Sequence, residues 1–420
     1  MKKFLALVMA LSMVFCLAAC GSSSDDEDTS TDETEEETEE DTEEEETEEE
    51  SEEEETEEED SEEEDTEEED SEESTDNSDI LIGISMPTKS LERWNRDGSY
   101  LEEQFEEAGY SVELTYSDND TDQQNNDIAN MIADGVDLLI IAAIDGDTLS
   151  QTLEDAVDAD IPVIAYDRLI MNTDAVSYYV SFDNYQVGVL QAEFVIDALD
   201  LENAGDESYN IEFVAGPTSD NNAGYFFNGA MDTLQEYIDA GTLVIQSGKT
   251  TFEQCATDEW STDTAMENMQ NTLASYYSDG TELDVILASN DSTALGAAQA
   301  VTTDYAGDND IIITGQDGDE ANLANIVDGL QTMTVYKNVS DEAGVTLVLA
   351  QEILAGNEPA EELLDSFEVD ASYDTESYDN GNGIVPSYLL VPWTVTVDNL
   401  DDLVDTGLYE WDGDYLVAVE

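Results

Sequence analysis

The sequence contains no histidine and only eight lysines and arginines in 420 residues. Without an imidazole, the Ser-His-Asp, Cys-His and HExxH chemistries are excluded, and the commonest nitrogen ligand for metals is missing. Eight cations against 108 carboxylates leave a formal charge of -100. A chain of that sign repels phosphate backbones, so nucleic acid is excluded as a partner. Cysteine is almost as scarce: Cys16, Cys20 and Cys255 offer no disulfide framework. No GxxxxGKS/T or GxSxG string occurs, which removes P-loop nucleotide hydrolysis and the serine-elbow hydrolases.

The charge is unevenly placed. Residues 1–20 read as a secretory signal, with Lys2 and Lys3 ahead of a short apolar run from Phe4 to Leu17. Leu17-Ala18-Ala19-Cys20 followed by Gly21 resembles the lipobox of bacterial lipoproteins. That resemblance implies lipidation at Cys20 and a chain tethered to the cell membrane outside the cytoplasm. Residues 21–79 contain no apolar side chain and hold 39 of the 108 acids. Such a composition buries too little to offset the entropy of ordering, so a disordered acidic spacer is expected, spanning roughly 40–45 Å or more. Six bases remain beyond it: Lys89, Arg93, Arg96, Arg168, Lys249 and Lys337.

From Ile80 onward, short β-branched runs alternate with amphipathic helical patterns. Strands are predicted at 80–84, 112–116, 138–141, 162–165, 178–180, 210–215, 243–245, 285–288, 311–313 and 332–336. Helices are predicted between them, the first over 98–108 and the last over 342–354. Near-continuous apolar strands separated by such helices mean α/β architecture with parallel sheets covered on both faces. Roughly ten βα units exceed one doubly wound domain and fit two.

Ligands of open α/β sheets bind beyond the carboxyl ends of the strands. There stand Arg93 and Trp94, Asp167 and Arg168, Asp220 and Asn222, Asn290, Asp317, and Lys337. Arg, Asp and Asn carry planar forks that make paired hydrogen bonds, a match for neighbouring sugar hydroxyls. Trp94 and Trp260 suit the apolar C–H faces of a sugar ring. No nucleophile–base pair accompanies them, so a neutral polyhydroxy ligand is expected and catalysis is not. Arg96 and Lys249 read as surface cations, and Asp220 and Asn222 also suit the cap of the helix near Ala223. Asp118–Asp122 begins like a calcium loop, but Gln123 and Ala129 occupy the places of its Gly and closing Glu. No metal or cofactor is expected.

The strings LERW, AYDRLI, SFDN, VGVLQAE, GPTSDNNA, ASND, TGQDGD, LQTMTVYK and VPSYLL, in that order, resemble the xylose-binding branch of the periplasmic sugar-binding proteins of ABC importers. The likeness spans essentially all of residues 80–411. It implies the type I periplasmic binding protein fold: two doubly wound parallel-sheet lobes joined by a three-crossover hinge. Lobe one would comprise 80–183 and 338–384, and lobe two 184–337 and 385–420. The resemblance also implies sugar contacts at Arg93, Trp94, Asp167, Arg168, Asp220, Asn222, Trp260, Asn290, Asp317 and Lys337. Two stretches depart from the family's pattern, Thr251–Glu259 and a Tyr- and Asp-rich insertion at Ser366–Asn382.

Signal, spacer, strand ends and resemblance together imply a monomeric lipoprotein that captures D-xylose or a similar aldose. It would deliver the sugar to an ABC permease, with the ATPase on a separate chain. Two other readings stay open. One is a sensor of a sugar or furanose signal feeding a membrane histidine kinase. The other is a secreted enzyme working with carboxylates alone.

Overall fold

The computed structural model describes residues 77–419. The signal segment 1–20, Cys20 and residues 21–76 of the spacer lie outside the described residues. Residues 77–79 join the fold instead of the spacer: Asn77 Nδ2 donates to the Ala108 carbonyl at 3.0 Å, and its own carbonyl accepts from Ile80 N. Among the described residues no helix is long and apolar enough to cross a membrane.

The first lobe opens with β1 (Leu81–Met86), α1 (Glu92–Glu107), β2 (Ser111–Tyr116), α2 (Thr121–Asp134), β3 (Leu138–Ile141), α3 (Ser150–Asp158), β4 (Val163–Tyr166) and β5 (Val176–Phe182). β3 and β4 are buried at every position, as parallel strands covered on both faces must be. Helix ends follow local chemistry. Asp120 caps α2 by accepting from Gln123 N, and Gly135 ends it in the left-handed conformation, φ 83°.

The chain then crosses into the second lobe: α4 (Asn184–Ala198), β6 (Tyr209–Val214), α5 (Asn221–Ala240), β7 (Leu243–Val244), α6 (Phe252–Cys255), α7 (Thr262–Thr272), β8 (Val285–Ala288), α8 (Asp291–Asp304), β9 (Ile312–Ile313), α9 (Glu320–Asp328) and β10 (Met333–Tyr336). α4 and α5 pack so closely that a Cβ at Gly188 would strike the Phe226 carbonyl, and one at Gly229 the Tyr185 carbonyl. Only glycine permits that approach.

It returns through α10 (Val339–Leu354), β11 (Ala371–Asp374) and β12 (Ser387–Leu390), and crosses a third time into β13 (Trp393–Thr396), α11 (Asp401–Asp405), β14 (Tyr409–Asp412) and β15 (Tyr415–Ala418). The first sheet has the order β11-β12-β5-β4-β3-β1-β2, parallel except for β11. The second runs β7-β6-β8-β9, all parallel, and reaches β10 through a bridge between Gln316 and Val335. β10 pairs antiparallel with β13. Two apolar layers flank each sheet. The expected two-lobed α/β fold with three crossovers is the fold observed.

Two expectations need correction. The last crossover does not fall at 384/385: Ser387–Leu390 is fully buried and pairs parallel with β5, so the chain stays in the first sheet through Leu390. α1 begins at Glu92, not Gly98, because the buried stripe of its first turns is occupied by Arg93 and Asp97, which hide the apolar period. The insertion at Ser366–Asn382 is built into the first lobe. It supplies the antiparallel edge strand β11, and Tyr378 packs at 5.1 Å between ring centroids against both Tyr179 and Tyr225.

Candidate functional site

The carboxyl ends of both sheets face one cleft. Its first wall is built by α1, which presents Arg93 and Trp94, and by the turn after β4, which presents Asp167 and Arg168. Its second wall is built by the starts of α5 and α8, the short turn before α7, and the loop after β9. Lys337 follows β10 where the chain recrosses. All ten residues singled out in the sequence, Arg93, Trp94, Asp167, Arg168, Asp220, Asn222, Trp260, Asn290, Asp317 and Lys337, line this cleft together with Leu91, Phe226, Ser292, Gln316 and Asp319.

Arg93 is the electrostatic centre. Its guanidinium lies 2.6 Å from Asp167, 3.1 Å from Asp97, 3.2 Å from Asp317 and 3.3 Å from Glu342. Asp317 belongs to the opposite lobe. Lys337 Nζ stands 3.4 Å from both Asp167 and Asp317, over the rings of Phe182 and Phe226. Burial alone would push the Asp167 carboxyl up, but Arg93, Lys337 and Arg168 outweigh it and hold it at about 2. Glu342 moves the other way: burial, then the charge of Asp167, raise it against the pull of Arg93.

Backbone geometry fixes these side chains. Asp167 adopts φ 55°, and its carbonyl accepts from Tyr179 Oη (2.5 Å), Asn222 Nδ2 (2.6 Å) and Ser181 Oγ (3.0 Å). The turn is therefore tied to both lobes. Asp220 caps α5 by accepting from Asn222 N at 2.9 Å, while its second oxygen accepts from Trp260 Nε1 at 3.0 Å. Arg168 Nε lies 3.0 Å from that same oxygen, an ion pair without hydrogen-bond alignment. Capping and lining the cleft are compatible at Asp220. Asn290 likewise caps α8 through Oδ1, which accepts from Thr293 N and Thr293 Oγ1.

The aromatic contacts fit the polar ones. The guanidiniums of Arg93 and Arg168 lie over the Trp94 ring, 5.0 and 4.8 Å from its centroid. Trp260 reaches its place by a strained path, with Glu259 and Trp260 both left-handed at φ 58° and 55°. Its indole lies over Gly216, where a Cβ would collide with the ring. The departure at Thr251–Glu259 thus still delivers the indole to the cleft.

Sequence reasoning missed several participants. Arg96 is no free surface cation: its side chain is only 13% exposed and bonds to the loop at Asp317–Asp319. Asp97 backs Arg93 from one helical turn away and accepts from Tyr166 Oη at 2.7 Å; its i, i+4 spacing from Arg93 was the available signal. Glu342, Leu91, Phe226, Ser292, Gln316 and Asp319 carried none. Asp291, fully buried, accepts from Gly318 N, Asp319 N, Gln331 Nε2 and Thr334 Oγ1 and so shapes the loop that carries Asp317. Among the described residues no cluster of His, Cys, Asp and Glu is arranged to hold a metal ion.

The same chain matches known proteins over most of its folded length. Residues 82–358 match the model of the periplasmic binding protein domain. The multiple sugar-binding periplasmic receptor ChvE of Rhizobium radiobacter is 41% identical over 335 residues, covering 79% of this chain and 91% of that protein. The D-xylose-binding periplasmic protein of Escherichia coli is 34% identical, covering 78% and 89%. An ABC transporter solute-binding protein of Clostridium phytofermentans, solved with bound β-D-glucose, superimposes with a TM-score of 0.74 at 48% identity, covering 79% of this chain and 98% of that one. By sequence and by fold, the chain belongs to the periplasmic binding protein family.

Proposed function

We propose that the protein captures a neutral monosaccharide, D-xylose or a similar aldose such as D-glucose, between its lobes and delivers it to an ABC permease. The observation that carries this reading is the cleft itself. Arg93, Asp167, Arg168, Asp220, Asn222, Asn290, Asp317 and Lys337 converge from both lobes, with Trp94 and Trp260 among them. In that role the forks pair with vicinal hydroxyls and the indoles cover the ring's C–H faces. The three cleft cations are already engaged by carboxylates, which suits an uncharged ligand.

Binding, not covalent chemistry, is the activity. No nucleophile–base pair stands in the cleft, and the family members that this chain matches are sugar-binding proteins. Hinge closure of the lobes over the ligand gives the permease a liganded form to read. The ATPase is another chain, since no Walker motif occurs in this one. Cys20 is the lipid attachment point, the acidic segment after it is a spacer, and the protein works as a monomer at the membrane surface.

Calorimetric titration of the protein with a panel of neutral pentoses and hexoses tests this reading. One or two aldoses binding with one-to-one stoichiometry and no product supports it. Absence of heat across the panel, or turnover of a sugar, rejects it.

A further inference from the structure

Arg96 lies on α1 of the first lobe, one turn beyond Arg93, and does not line the sugar cleft. Yet its guanidinium grips the second lobe at three consecutive residues. Nη2 donates to the Asp317 carbonyl at 3.1 Å and to Asp319 Oδ1 at 3.1 Å, and Nη1 donates to the Gly318 carbonyl at 3.2 Å. Nη1 also donates to Tyr409 Oη at 2.7 Å, and Tyr409 Oη in turn donates to the Gly318 carbonyl at 2.8 Å. Beside it Glu92 Oε1 accepts from Glu320 N at 3.2 Å, another bond between the lobes.

The gripped loop is unusual backbone. Asp317 and Gly318 both have positive φ, 107° and 74°. Asp291 holds their amide side through Gly318 N and Asp319 N, and Arg96 holds their carbonyl side. Between these two supports the Asp317 side chain is aimed into the cleft, at Arg93 and Lys337. The bonds made by Arg96 and Glu92 exist only when the lobes are together, because their partners lie on the other lobe.

We infer that Arg96 is a closure latch: a positioning residue that holds the lobes shut and fixes Asp317 without touching the ligand. A bidentate guanidinium on two carbonyls and a carboxylate cannot be replaced by a single ammonium. The latch acts on the closed state alone, so it slows ligand release and leaves encounter with the open form unchanged. The inference rests on the two-lobed sugar clamp proposed above.

The test uses stopped-flow tryptophan fluorescence on the full chain with D-xylose and D-glucose. Arg96→Leu is expected to raise the dissociation rate about tenfold or more with little change in the association rate. Arg96→Lys is expected to recover only part of that loss. Tyr409→Phe and Asp319→Asn remove single partners and serve if Arg96→Leu does not fold; each is expected to raise the dissociation rate by roughly two- to fivefold. Dissociation rates that stay within about twofold of the parent across these variants, or a loss confined to association, overturn the latch. If the parent binds neither sugar, the functional reading fails by itself. Small-angle scattering then decides the latch, which requires a larger radius of gyration in Arg96→Leu than in the parent, and coincident curves overturn it.

Discussion

Arg93 and Asp317, 224 positions apart in the chain, meet at 3.2 Å across the cleft. The same guanidinium pairs with Asp97, Asp167 and Glu342 on its own lobe. One cation therefore serves the packing of the first lobe and its junction with the second. Removing one member of a buried charge network leaves the others uncompensated. Arg93→Ala is expected to lose about 3–5 kcal/mol of stability as well as ligand affinity, read as a shifted denaturant midpoint. A midpoint equal to the parent's contradicts this role.

Arg168 is held differently. It stacks on Trp94, pairs with Asp220 and donates to the Ala143 carbonyl at 3.1 Å. Arg168→Ala is expected to weaken sugar binding by about 2 kcal/mol, roughly thirtyfold, with a smaller effect on folding than Arg93→Ala. Calorimetry on the two variants separates the effects, and an unchanged affinity removes Arg168 from the binding set.

The pH dependence has a definite sign. Burial, then Asp317, raise Asp291 to about 7 despite its hydrogen bonds from Gln331, Asp319 N and Thr334. Burial also raises Asp97 and Glu342. A carboxyl whose folded pKa exceeds its unfolded value costs stability as pH rises between the two. Asp167, held at about 2, does the reverse, and its contribution is lost as pH falls from about 4 toward 2. Stability is therefore expected to rise on acidification from about pH 8 to about pH 5 and to fall again below about pH 4. Denaturant melts at fixed ionic strength check it; a maximum at or above neutrality contradicts it.

Much of the site was legible because parallel strands are apolar runs that end abruptly in polar residues, as at Tyr166-Asp167-Arg168 and Ala288-Ser289-Asn290. What escaped was polarity inside elements. Arg93 and Asp97 occupy the buried face of α1, where periodicity seeks apolar side chains, so the start of the helix and the part played by Asp97 and the neighbouring Arg96 went unread. Glu342 stands buried in the first turn of α10, and nothing local distinguishes it from a solvated acid. The strands after α10 escaped for another reason. β11, β14 and β15 are short and partly exposed, and their partners lie on other segments or across a tight hairpin. β12 is apolar enough to read, but its place beside β5 depends on tertiary pairing.

The acidic segment offers a simple control. Deleting residues 21–76 and keeping Asn77, which anchors to Ala108, is expected to change sugar affinity by less than about twofold, as the proposed spacer role requires. A large loss in calorimetry shows that the segment takes part in binding.

The most direct measurement is a crystal structure of the protein grown with the aldose that titrates most tightly. The sugar is expected between the lobes, its hydroxyls bonded to Arg93, Asp167, Arg168, Asn222, Asn290, Asp317 or Lys337 and its ring against Trp94 or Trp260. Density for the sugar on an outer surface of either lobe, with these side chains bonded only to one another, would contradict the proposed binding site.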